Sequence, residues 1–373
     1  MQPQALMQMA VIGMLVAAVP LAWVWVRANR DRFHKLVWLT TFLTFDLIMF
    51  GAFTRLTDSG LGCPDWPGCY GHSNPLAASA HIDAAQSAMP YGPVTTAKAW
   101  IEMLHRYFAM GIGVLIVTLA ALAWRHRRSF ARSPLPAGAL LVLVCVQGAF
   151  GAWTVTHKLM PLIVTIHLLL GVALLCALGW VAEGMRPRPI AGAHAARLRG
   201  HALLALAVVL LQIALGGWVS TNYAVLACQD FPLCNGSLLP SLDFARGFDL
   251  TRPLGLNDDG SFLPAESLVA IHWAHRAFAL VVLGVVGALA LRMLGAGATT
   301  AALRRLALGI GVVLLLQIAT GVSTVVFAWP LAVAVLHNGG AAALALLLTL
   351  LNTRLAGARR VPVFVAGTHA GAR

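Results

Sequence analysis

The chain has 373 residues, 59% of them hydrophobic and only 10% charged, with a formal net charge of +13. Together with a mean hydropathy of +0.80, that composition excludes an ordinary soluble domain and points to an all-α integral membrane protein surrounded by lipid. The cations sit in loops between apolar segments, so the charge reports topology and gives no support to a nucleic-acid partner.

In chain order, apolar runs long enough to span a bilayer lie at about 6–26, 36–56, 101–124, 135–156, 161–182, 202–222, 268–291, 306–328 and 331–353. They predict about nine transmembrane helices of roughly 20 residues each. The first run has no basic segment ahead of it and no clear small-residue cleavage site, so it reads as a retained helix. Basic residues mark alternate loops: Arg27, Arg30, Arg32 and Lys35; Arg125, Arg127, Arg128 and Arg132; Arg186, Arg188, Arg197 and Arg199; Arg292, Arg304 and Arg305. Arg354, Arg359 and Arg360 mark the tail. Nine helices threaded in order put all of these on one side, which the positive-inside rule makes cytoplasmic, with the C-terminus. The N-terminus and the long loops at about 57–99 and 223–267 then face outward, toward the periplasm of a bacterial inner (plasma) membrane. An oxidising exterior permits disulfides there.

Each long loop carries a seven-residue cysteine box, Cys63 to Cys69 and Cys228 to Cys234. Each box precedes two histidines 62 residues apart, His105 and His167, then His275 and His337. A shift of 170 residues sets Glu102 on His272, His105-Arg106 on His275-Arg276, Gln147 on Gln317, Gly151 on Gly321 and His167 on His337. A shift of 166 sets Asp46 on Gln212 and Gly51 on Gly217. So many polar matches inside apolar helices indicate an internal duplication. The expected organisation is an N-terminal helix with its basic loop (1–35), a four-helix repeat (36–185), a linker (186–200), a second repeat (201–355) and a tail (356–373). Both repeats start on the same side, so they are parallel copies related by an axis along the membrane normal.

Counted from the outer edges of their apolar runs, all four histidines lie about five or six residues deep, roughly 8–9 Å. Two histidines at matched depth on different helices suit axial ligation of haem iron. Arg106 and Arg276, near the outer boundary, suit a haem propionate. The alternatives are histidines hydrogen-bonded within the core, and zinc, which needs more donors at that depth. No Cys-x-x-Cys-His occurs, so covalent c-type attachment is not indicated. Glu102, three residues before His105 and on the same helix face, is the candidate catalytic carboxylate; the alternative is an interfacial ion pair with Arg106 or Lys98. The cysteine pairs are either braces for their loops or redox-active. His34, His72, His81, His126, His157, His194, His201 and His369 read as surface or structural residues, Cys145 and Cys176 as packing, and Asp46 as a buried acid without an assigned role.

With Arg55-Leu56-Thr57, Glu102-x-x-His105-Arg106, Gln147, His167, the run Gly216 to Tyr223, both cysteine boxes, His275-Arg276 and His337, the chain resembles haem A synthase over about 36–355. The resemblance implies oxidation of the methyl at ring position 8 of haem O to a formyl group through a hydroxymethyl intermediate, for cytochrome oxidase assembly. It places haem O between His105 and His167 beside Glu102, and a haem b cofactor between His275 and His337. A haem O-making farnesyltransferase and oxidase assembly factors are the partners it implies, with homo-oligomerisation open. The extra first helix and Asp46 depart from the family pattern, and some members lack the first cysteine pair. The rivals are a di-haem cytochrome b that only transfers electrons and a haem transporter.

Overall fold

In lipid a backbone must satisfy its own hydrogen bonds, and these long apolar runs do so as helices. The structure, a computed structural model, describes residues 3–27, 31–126, 134–188, 190, 193–257, 259–295 and 300–357. Arg30, Arg127, Arg128, Arg132, Arg359, Arg360, His369, the tail beyond 357 and the His194 side chain lie outside them. The helices are α1 (Pro3–Arg27), α2 (Arg32–Leu56), α3 (Ser79–Ala88), α4 (Thr96–Arg125), α5 (Leu135–Thr156), α6 (Pro161–Met185), α7 (Ala193–Thr221), α8 (Phe244–Gly247), α9 (Ala265–Leu294), α10 (Ala301–Val326) and α11 (Leu331–Gly357). Among the described residues, nine of them are long and apolar enough to cross a membrane: all but α3 and α8.

Several boundaries differ from the hydropathy reading, and one helix is added. The amphipathic helix α3 lies in the first long loop, too polar and short to register as a span. α4 starts at Thr96, where the Thr95 hydroxyl accepts from the Lys98 amide at 3.2 Å, and α9 starts at Ala265. His105 and His275 are therefore nine and ten residues into their helices, roughly 14–15 Å, whereas His167 and His337 are each six residues in, about 9 Å. The depth matches between the two copies, while α4 and α9 project about 5 Å further than their partner helices. Finally, α7 reaches back to Ala193, so half of the expected linker is helix.

The two quartets pack alike. α2 lies against α4 and α6, and α5 joins α4 to α6. In the second set α7 lies against α9 and α11, and α10 joins α9 to α11. One apolar core runs through α2, α4, α5 and α6 with α1, and another through α7, α9, α10 and α11. The sets meet where α6 and α2 touch α11 and α6 touches α7. Unusual backbone recurs in register: Lys158-Leu159 and Ala328-Trp329, 170 residues apart, are consecutive left-handed residues in the α5–α6 and α10–α11 turns. Asp58 and Tyr223, and Tyr70 and Asn235, are left-handed pairs 165 apart. Both boxes also hold a cis peptide before their second proline-position residue, at Trp66-Pro67 and Phe231-Pro232.

The helix outside both quartets docks on α4 and the first cysteine loop. A Cβ on Gly13 would stand 2.8 Å from Met110 Cβ, and one on Gly111 2.7 Å from Val16 Cγ1. Reciprocal glycines thus let α1 and α4 approach closely, as small residues do in membrane interfaces. Met9, 2% exposed, reaches the cluster formed by Cys63, Cys69, Ile82 and Met103. Asp46 is exposed on α2, which corrects its reading as a buried acid. Cys145 is also exposed, while Cys176 packs against the second core.

Candidate functional site

All four histidines stand toward the cysteine-loop end of the bundle, and each faces a glycine on a neighbouring helix. Cβ atoms added at Gly51, Gly151, Gly216 and Gly321 would lie 3.0, 3.1, 2.9 and 3.2 Å from Cε1 of His105, His167, His275 and His337. One ring edge of every imidazole is thereby pressed on bare backbone. His105 and His167 lie within electrostatic range of each other, and so do His275 and His337. The four-fold arrangement settles the repeat register: Gly216, and not Gly217, is the counterpart of Gly51. Gly217 turns instead toward Leu168 and Thr165 of α6. The shift is 165, shared with the cysteine boxes, and it sets Leu47 on Gln212. In three of four cases a glutamine stands one turn before the glycine: Gln147, Gln212 and Gln317.

Cys63–Cys69 and Cys228–Cys234 are disulfides. In the first box Asp65 accepts from the Tyr70 and Gly71 amides at 2.6 and 2.7 Å. In the second, Asp230 accepts from Asn235 and Gly236 at 2.5 and 2.9 Å. The Gly236 amide foremost, with Asn235, holds the Asp230 carboxyl below the ordinary range. Both boxes are tied to the histidine helices at equivalent points. The Cys63 amide donates to Glu102 Oε2 at 2.7 Å, and the Cys228 amide to His272 Nδ1 at 3.3 Å.

The arginines after the histidines also reach the boxes, unequally. Arg106 is buried, pairs with Glu102 and donates to the carbonyls of Asp65, Pro67 and Gly68 at 2.9, 3.2 and 2.6 Å. Arg276 donates to the Asp230 carbonyl at 2.6 Å and lies 5.3 Å from the Phe231 ring centre; its Nη1 is buried without a partner. Of the two, Arg276 has the donor to spare for an anion. Lys98 bonds Asp58 at 3.4 Å and leaves Glu102 to Arg106.

A belt of polar contacts joins the halves at this end. Arg55 donates to the Ser220 carbonyl at 2.6 Å and lies 4.0 Å from the Tyr223 ring centre, and Tyr223 hydrogen-bonds Asp58 at 2.5 Å. Two motifs far apart in sequence, Arg55-Leu56-Thr57 and the run ending at Tyr223, are thus one contact. The remaining histidines are peripheral: His72 and His81 group with Tyr70, His157 bonds Thr156, His201 meets Arg292, and His34 lines a cavity with Arg186, Arg188 and Arg354.

Among the described residues no group of three or more His, Cys, Asp or Glu side chains could hold a metal ion. Each donor set is therefore a pair of imidazoles, too few for structural zinc and right for two axial positions on an iron already held by a macrocycle. The glycine cradles and the unpartnered Arg276 Nη1 fit a bound haem carboxylate porphyrin.

Sequence comparison gives the same direction. The profile of the cytochrome oxidase assembly proteins, COX15-CtaA, matches residues 34–350. A haem A synthase of Shewanella oneidensis is 39% identical over 85% of this chain and 96% of its own length. Haem A synthases of Sinorhizobium medicae and a Methylobacterium species are 28% and 30% identical, covering 84% and 83% of this chain. The chain belongs to the COX15-CtaA family and is related to haem A synthases over most of its length.

Proposed function

We propose that the protein is an oxidoreductase that converts the C8 methyl of haem O to a formyl group through a hydroxymethyl stage. It would act in the bacterial inner membrane, with the cysteine loops and N-terminus outside and the C-terminus in the cytoplasm. The observation that carries the reading is the combination of two glycine-backed histidine pairs with a buried carboxylate beside only the first. In this reading residues 36–185 form the substrate half, where His105 and His167 hold haem O, and residues 201–355 the cofactor half. Glu102 lies one turn from His105 on the same face, where a carboxylate can take a proton or offset positive charge developing at the methyl carbon. Arg106 aims that carboxylate by pairing with it. His275 and His337 would hold haem b, with Arg276 offering its spare Nη1 to a propionate. A haem b there would supply a one-electron carrier, passing the electrons that the methyl loses at each stage on to an external electron acceptor. Haem O synthase, a farnesyltransferase, and oxidase assembly factors are the partners this reaction calls for.

The test is a haem inventory of protein produced alongside a haem O-making farnesyltransferase. Haem A is expected to accumulate. Haem b in both sites, with haem A never appearing, would replace the reading with plain electron transfer. Glu102→Gln keeps an acceptor for the Cys63 amide, so it should retain haem and lose at least about a hundredfold in haem A yield, the scale of a lost general base.

A further inference from the structure

The two histidine pairs differ in what touches their second ring nitrogen. His337 Nδ1 lies 2.9 Å from Thr320 Oγ1, and that hydroxyl donates its own proton to the Leu316 carbonyl at 2.7 Å. The threonine oxygen is therefore the acceptor, Nδ1 carries the imidazole proton, and Nε2 keeps its lone pair for a metal. At His275 the near group is Gln212 Nε2, 3.1 Å from Nδ1 and donating to the His275 carbonyl at 3.1 Å; an amide nitrogen only donates, so Gln212 cannot fix an Nδ1–H as Thr320 does. In the first half the equivalent places hold Leu47 for Gln212 and Phe150 for Thr320. Neither side chain can hydrogen-bond, and Nδ1 of both His105 and His167 is buried without a partner. The Gln147 carbonyl lies close to the His167 ring, as the Gln317 carbonyl does to that of His337, but His167 Nδ1 makes no hydrogen bond of standard geometry. Phe50 gives His105 a ring contact, centroids 6.0 Å apart, in place of a polar one.

Resting on the haem assignment above, we propose that Thr320 is a positioning residue that makes the second pair a permanent mount through His337, and that Phe150, at the equivalent place, leaves His167 of the first pair free to exchange its haem. A bonded Nδ1 fixes the tautomer and ring plane and makes Nε2 a stronger ligand; losing such a partner weakens metal binding by about 10–100-fold. A substrate site gains from the opposite condition, because its haem must leave once oxidised. The glycine cradles orient all four rings alike, so among the contacts made to the rings themselves the Nδ1 partner is what differs.

The experiment uses the full-length protein, loaded with haem b in a His167→Ala background so that the second site is read by itself. Haem transfer to excess apomyoglobin is followed with time, together with the ferric electron paramagnetic resonance spectrum. Thr320→Val is expected to speed haem loss by about tenfold or more and to change the ferric signal; Thr320→Ser, which keeps the hydroxyl, should leave both at their starting values. In the complementary His337→Ala background, Phe150→Thr should slow loss from the first site. Unchanged release and an unchanged spectrum in the Thr320→Val protein would overturn the proposal while leaving the enzymatic reading standing. Slow-leaving haem that survives His337→Ala without the His167 change would overturn the site assignment itself.

Discussion

Glu102 and His272 stand at equivalent places on α4 and α9, and each accepts from the first cysteine amide of its own box. The first does so as half of a buried ion pair, the second as an imidazole, while Arg276 beside it feels the Asp230 carboxylate at longer range. A neutral acceptor suffices to hold a cysteine loop, as the second half demonstrates, so the charge at Glu102 exceeds what the loop requires. Burying a carboxylate costs several kcal/mol unless it is paired, and the first half meets that cost with Arg106 and three loop carbonyls around it. The same scaffold in two copies thus separates what the architecture needs from what is added in one half only.

The largest expected effect comes from filling a cradle. A Cβ at Gly216 would stand 2.9 Å from His275 Cε1 and one at Gly51 3.0 Å from His105 Cε1, so a valine at either place must push the ring aside. Gly216→Val should remove nearly all haem from the second pair and spare the first, and Gly51→Val should do the reverse. Haem content and bis-imidazole absorption of each purified variant measure this. Loss from both pairs in either variant would break the picture of two independently built sites.

Next in size is the contrast between the arginines. Arg106→Leu strands the buried Glu102 carboxylate and three carbonyls, a loss of about 3–5 kcal/mol for a broken buried pair. Arg276→Leu removes a charged hydrogen bond to the Asp230 carbonyl, about 1.5–3 kcal/mol. Unfolding in mixed micelles should rank them in that order. An equal or reversed ranking would mean that the first box is not held through the Glu102–Arg106 pair.

Much of this was legible in the residues. Hydropathy located all nine spans because length and apolarity decide them, and matched polar residues exposed the duplication because apolar helices tolerate few by chance. The register slipped by one at Gly216-Gly217, since two adjacent glycines fit an apolar pattern equally and only packing tells which meets His275. The helix α3 escaped because Ser79–Ala88 is short and mixed in character. Asp46 read as buried because a carboxylate within a span suggests shelter, yet periodicity says little about which face of a helix with several neighbours stays open. Thr320 was silent as well: a threonine within an apolar helix reads as filler until its hydroxyl is found against His337. The recurrence of glutamine one turn before three of the four glycines was available as a signal, and its failure at Leu47 marks the half where the ring nitrogens go unpartnered.

The smallest expected effect is at His272. Glutamine there offers an oxygen to the Cys228 amide and an N–H in place of the imidazole's, so His272→Gln should shift stability by no more than about 1 kcal/mol, one ordinary hydrogen bond. Its haem content should stay at the starting level and its haem A yield within about twofold, a change worth well under the 1.4 kcal/mol of a tenfold effect. Protection of Cys228–Cys234 from reductant, followed by the mass added on thiol labelling, reports whether the box remains closed. Glu102→Gln, the same side chain at the matching place, should also keep its disulfide protected while haem A yield collapses. A box that opens in both variants would make Glu102 and His272 loop anchors alone. Closed boxes with yield lost only at Glu102 would assign the carboxylate to the chemistry and His272 to the scaffold.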